Sequence, residues 1–147
     1  MNALPGATAG SWVSTGQQGT ALAISGTIVG FLTSEAAQGG ALLNADGDAT
    51  DQVLQLYTLA GTPVPCTPTG PGAPSCTAGV RVAAEDFVMG APAVTACGAR
   101  QLVAFRASEA GEGATNLNGG VGSPADVDTS DAVLQVYDAV SGQLKNV

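Results

Sequence analysis

The chain contains no histidine. That removes Ser-His and Cys-His nucleophile pairs, and the imidazole-rich sites that hold zinc or iron. Basic residues are nearly as scarce. Arg81, Arg100, Arg106 and Lys145 are the only four, against twelve acids, for a net charge of -8. Nothing here neutralises a run of phosphates, so a nucleic-acid partner is not expected. Aromatics make up only 4% of the 147 residues, so any core is built of small side chains. No apolar run is long enough to cross a bilayer as a helix, and no membrane partner is expected. Met1-Asn2-Ala3-Leu4-Pro5-Gly6 lacks the basic start and apolar stretch of a secretion signal. The three cysteines, Cys66, Cys76 and Cys97, match no metal-binding spacing. Cys66 and Cys76 flank a Pro/Gly/Thr loop and can close a small disulfide, which leaves Cys97 odd.

Glycine and proline, by contrast, are abundant, at 21 and 8. They cut the chain into short segments and favour many short strands over long helices. Thr20–Ser25 alternates as a strand, turns at Gly26-Thr27, and is followed by a second strand, Ile28–Glu35. Asp51–Leu59 reads as a third. Residues 60–79 carry Pro63, Pro65, Pro68, Pro71 and Pro74 and cannot pair centrally in a sheet, so they form an excursion loop. Val80–Ala84 and Phe87–Met89 supply a fourth strand.

The pattern then restarts. Leu102–Glu109 repeats Ile28–Glu35 with a shift of 74, from Phe31 to Phe105. The third strand repeats with a shift of 80, from Asp51 to Asp131. The six extra positions fall around Gly119–Pro124, and insertions belong in loops. Val94–Cys97 is read as the counterpart of the first strand. The division expected is an N-terminal segment at 1–19, a first repeat at 20–93, and a second at 94–147 whose fourth strand is incomplete.

Between the second and third strands of each repeat lies an acidic loop. The first is Asn44-Ala45-Asp46-Gly47-Asp48-Ala49-Thr50-Asp51, and the second is Ala125-Asp126-Val127-Asp128-Thr129-Ser130-Asp131. Side-chain oxygens at alternate positions of a tight loop converge on one centre, which suits a hard cation, calcium before magnesium. The candidate ligands are Asn44, Asp46, Asp48 and Asp51 in one loop, and Asp126, Asp128 and Asp131 in the other. Asn118 is a further candidate across the insertion. The competing account is that Asx side chains cap turns and bond their own backbone. Glu35 and Glu109 end the second strand of each repeat, and serve either as further ligands, as general bases, or as solvated strand ends. Arg106 stands where the first repeat has Leu32, and either pairs with a neighbouring carboxylate or lies on the surface.

Phe-x-x-Ser-Glu-Ala followed by Asp-x-Asp-x-x-Asp-x-Val-Leu-Gln-x-Tyr resembles the blade repeats of bacterial TolB-like and WD40-like β-propellers, over roughly residues 20–147. The loops are similar to the calcium loops of integrin-type and dockerin-type repeats, with the last acid one position early. The resemblance implies an all-β fold of two four-stranded antiparallel blades per chain. Two blades leave apolar faces in water, so the expected partner is the chain itself, as a trimer of six blades rather than a tetramer of eight. Residues about 8–15 are expected either to complete the neighbouring subunit's last blade, or to close their own blade or end as a loose terminus. The function that follows is a calcium-binding, self-assembling module for structure or ligand binding, including small molecules. The alternative is a calcium-dependent hydrolase of esters, lactones or phosphotriesters, with Glu35 and Glu109 as catalytic bases.

Overall fold

The computed structural model describes residues 14–69, 76–119 and 126–147. The fold is all-β. Its strands are β1 (Thr20–Ser25), β2 (Ile28–Ser34), β3 (Gln52–Thr58), β4 (Thr67–Pro68), β5 (Val80–Met89), β6 (Ala93–Thr95), β7 (Gly98–Arg100), β8 (Leu102–Ser108), β9 (Ala132–Asp138) and β10 (Gln143–Asn146). Among the described residues no helix is long and apolar enough to cross a membrane.

These strands do not separate into two independent blades. Eight of them form one sheet in the order β1-β2-β3-β5-β8-β9-β10-β4. The join is β5, a single strand over Val80–Met89 as expected for the fourth strand, but shared between the two repeats. Its first half pairs with β3, Leu54 opposite Val82, and its second half with β8, Phe87 opposite Phe105. A register shift between Ala84 and Asp86 marks the bend from one half to the other. One strand therefore closes the first repeat and opens the second. Val94–Cys97, expected to open the second, instead enters a separate β6–β7 hairpin. The second half of β5 already occupies the edge of β8 that it would need. Of the segment expected to exchange between subunits, residues up to 13 lie outside the described part of the chain.

The repeat itself is reproduced in the pairing. β2 and β3 pair from Ile28–Thr58 to Ser34–Gln52, and β8 and β9 from Leu102–Asp138 to Ser108–Ala132. The two registers match pair for pair, so equivalent residues keep equivalent places on their strands. The two repeats nevertheless turn opposite faces to the shared core, while the first also covers its other face, with Phe31, Val53 and Tyr57 buried. The shared core takes Ile28, Leu32, Leu54 and Leu56 from the first repeat, and Val103, Phe105, Ala107, Val133 and Tyr137 from the second. Ile28 is 4% exposed but its equivalent Leu102 is 44% exposed; Leu54 is 0% exposed but its equivalent Leu134 is 47% exposed. The repeats thus stack front to back. Gly30 sits at this contact, where an added Cβ would lie 2.9 Å from both Leu56 and Phe87.

The excursion loop fastens the two repeats together at the far edge. Cys66 and Cys76 are disulfide-bonded, with Cα atoms 5.9 Å apart, while Cys97 is free and exposed. Beside the bridge, β4 pairs in parallel with β10, Thr67 opposite Gln143. The buried Tyr137 hydroxyl donates to the Pro65 carbonyl at 2.6 Å.

Candidate metal centres

Each acidic loop is organised around a glutamate that the fold buries. Glu35 follows β2 and opens the short 3-10 turn Ala36–Gln38; Glu109 follows β8 and opens its counterpart, Ala110–Glu112. Both glutamates are 0% exposed. Their backbone N–H groups donate to Asp51 and Asp131 carbonyls at 3.0 Å, which closes each loop at its base. Their side chains hold the loops from within. Glu35 Oε1 accepts from the Leu43 and Asn44 N–H groups. Glu109 Oε1 accepts from the Leu117 and Asn118 N–H groups, and its Oε2 from Asp131 N–H at 3.1 Å.

The aspartates cap turns, as one account expected. Asp46 Oδ1 accepts from Asp48 N–H at 3.1 Å, and Asp48 Oδ1 from the Thr50 N–H and hydroxyl at 2.9 and 2.6 Å. The second loop repeats this with Asp126, Asp128 and Ser130. Capping uses one oxygen of each carboxylate and leaves the other. In the first loop Glu35 Oε2, Asn44 Oδ1, Asp46 Oδ2 and Asp51 Oδ2 are buried with no hydrogen-bond partner; in the second, Asn116 Oδ1, Asn118 Oδ1 and Asp126 Oδ2 are, Asn116 being tied to the loop by its amide's bond to the Asp126 carbonyl. Turn capping and ligand presentation therefore coexist in the same side chains.

The structure brings together Glu35, Asp46, Asp48 and Asp51, each offering an oxygen within 4.8 Å of the others, and likewise Glu109, Asp126, Asp128 and Asp131. Either cluster can hold a metal ion. Asn44 and Asn118 occupy equivalent places, bound through their N–H groups to Glu35 and Glu109. The insertion thus begins after Asn118, which made that residue look remote from its loop in the sequence. No basic side chain relieves either cluster by an ion pair among the described residues. The ion pairs are Arg100 with Asp138, and Arg106 with Glu85 and Asp86, on strands outside the loops.

The electrostatic consequence falls on the last aspartate. Burial pushes Asp51 up to about 6, and the charges of Asp46, Asp48 and Glu35 add to the rise. Asp131 is also raised, first by its hydrogen bond with Asp126, which is itself lowered, chiefly by the Asp128 backbone N–H. Close carboxylates of this kind share a proton or a cation. Sequence reasoning missed Gly111 and Glu112, which approach the first loop from the second repeat. No local signal marks them, because they reach it only through the fold.

Comparison of the chain with protein-family models, curated proteins and solved structures finds no match.

Proposed function

We propose that the chain is a calcium-binding β-module that uses its ions to fix the acidic loops and assembles with copies of itself. The observation that carries the ion is Glu35 Oε2, an acceptor on a fully buried side chain with no donor to meet it. A buried, unpaired carboxylate oxygen costs several kcal/mol of lost hydration, roughly, unless a cation or proton satisfies it. Four carboxylates with oxygens gathered within 4.8 Å of one another, plus the Asn44 amide oxygen and backbone carbonyls, suit a hard cation that takes six to eight oxygen ligands, which is calcium. The burial of both glutamates, each already accepting backbone N–H bonds, supports a loop-bracing and ligand role over that of a general base.

Self-assembly is supported by the front-to-back stacking. The outward face of the second repeat, with Leu102, Ala104 and Leu134, is equivalent to the first-repeat face that is buried. A further copy docking by the same operation would cover it; a heterologous contact of this kind forms a ring when its rotation closes and a filament when it does not, and the assembly proposed is a ring of three chains and six repeats. The receiving face, around Phe31 and Gln55, carries residues 14–19; Gln55 Nε2 donates to Gln17 at 3.1 Å. Docking would displace that segment.

The test is thermal melting with calcium and with EDTA. Saturation at a hundredfold excess over the dissociation constant adds about 2.7 kcal/mol, or roughly 5–10 °C. Glu35→Gln should abolish most of that gain. An unchanged melting temperature in EDTA sinks the calcium reading, and a monomeric mass by sedimentation at high concentration sinks the assembly.

A further inference from the structure

The two acidic loops are near copies in sequence, yet the fold places them in different surroundings. The first loop is walled by a turn from the other repeat. Asn44 Nδ2 donates to the Gly111 carbonyl at 2.8 Å, and lies 3.4 Å from Glu112 Oε1. Glu112 Oε1 in turn accepts from Ala83 N–H of β5 at 2.6 Å, which anchors the turn to the strand beside the loop. Gly111 is packed so closely that an added Cβ would stand 2.8 Å from Asp51 Oδ1 and 2.9 Å from the Ala83 Cβ. Gly113 lies over Asp46, whose carbonyl oxygen would be 3.3 Å from an added Cβ.

The equivalent turn of the first repeat has no such seat. Ala36–Gln38 contains no buried residue, and an added Cβ on Gly39, the counterpart of Gly113, would meet nothing within 4 Å. The second loop accordingly has no turn against it from a following repeat among the described residues. Its Asn118 amide points inward, 3.4 Å from Asp131 Oδ2, and so occupies an oxygen that Asp51 keeps free. Glu109 Oε2 is likewise taken by a backbone N–H, where Glu35 Oε2 is open. With the Asn44 amide drawn outward to Gly111, the first loop has four unpaired buried oxygens, against three in the second.

We propose that the first centre is a composite site, completed by the Ala110–Glu112 turn of the second repeat, which binds its ion more tightly than the second centre and clamps the two repeats together. Gly111 and Glu112 are positioning residues: they orient Asn44 and confine Asp51 without offering the ion a bond. Neighbours that orient metal ligands are worth about 10–100-fold in affinity. The inference rests on reading the loops as cation sites.

Calcium titration of the chelator-treated full chain by calorimetry tests it. Two unequal steps are expected, the tighter abolished by Asp51→Asn and the weaker by Asp131→Asn. Gly111→Ala should weaken the tighter step about tenfold or more and leave the weaker within about twofold. Glu112→Ala should do the same more mildly. Glu112→Gln, which keeps an acceptor for Ala83 and Asn44, should restore most of the affinity, with the strand signal in circular dichroism unchanged throughout. Two equal steps, a tighter step that disappears with Asp131→Asn, or full affinity in both Gly111→Ala and Glu112→Ala overturns the composite site while leaving calcium binding intact. No binding heat and no stabilisation at millimolar calcium overturns both.

Discussion

Leu54 and Leu134 occupy the same position in the two repeats, and replacing each with alanine separates stacking from local sequence. Leu54 is fully buried in the shared core, among the side chains that meet between the repeats. Leu134 lies on the opposite, outward side of the stack and keeps nearly half its surface in water. Removing a fully buried leucine to alanine costs about 2.7–5 kcal/mol, the transfer of the lost methyl groups plus the cavity left behind. For Leu134 the cavity contribution vanishes and roughly half the transfer remains, which gives about 1 kcal/mol or less. At about 2–4 °C per kcal/mol for a chain of this size, Leu54→Ala should melt at least about 5 °C lower, and Leu134→Ala within about 4 °C of the parent. Urea unfolding followed by circular dichroism, at low protein concentration and fixed calcium, measures the difference. Equal losses in the two variants would refute the opposite-face packing, and with it the argument for front-to-back association.

The pH dependence of the ion-free protein follows from Asp51 and Glu112, raised to about 6 and about 7 chiefly by burial. Their protonated forms are favoured in the folded state, so the contribution is complete below about pH 4 and is lost as pH rises through 6 to 7. In EDTA the melting temperature should therefore fall from pH 5 to pH 7.5, and calcium should flatten or reverse that slope; a rise in EDTA over this range would contradict it. Tyr137→Phe removes the bond to the Pro65 carbonyl and leaves that carbonyl without its donor, at a cost of about 1–3 kcal/mol. A urea midpoint equal to the parent's would show that the excursion loop is not held by this contact.

What could be read in the sequence was local. Alternation over Thr20–Ser25 and Ile28–Glu35, the prolines of 60–79, and the paired acidic loops each follow from the period or the backbone preference of a few neighbouring residues, and the structure has strands and loops in those places. The Cys66–Cys76 bridge was also accessible, since it closes a short loop. Long-range relations were not. Phe87–Met89 and Val94–Cys97 are both short and apolar, and period alone cannot say which one pairs with β8. Nor can it say which face of a strand another repeat will cover, because Leu54 and Leu134 sit in near-identical surroundings of sequence. Gly111 and Glu112 carry no signature of the first loop, 60 positions away from Asp51 to Gly111.

β4 is only two residues long, but it ends the eight-stranded sheet at the rim beyond β10. One of those two residues is Pro68, which has no N–H to offer an incoming chain. Sheets with a bare, regular margin invite open-ended stacking into amyloid-like fibrils. Here the disulfide-bonded loop of one repeat lays a proline along the margin of the other, so that border is a poor template for added strands.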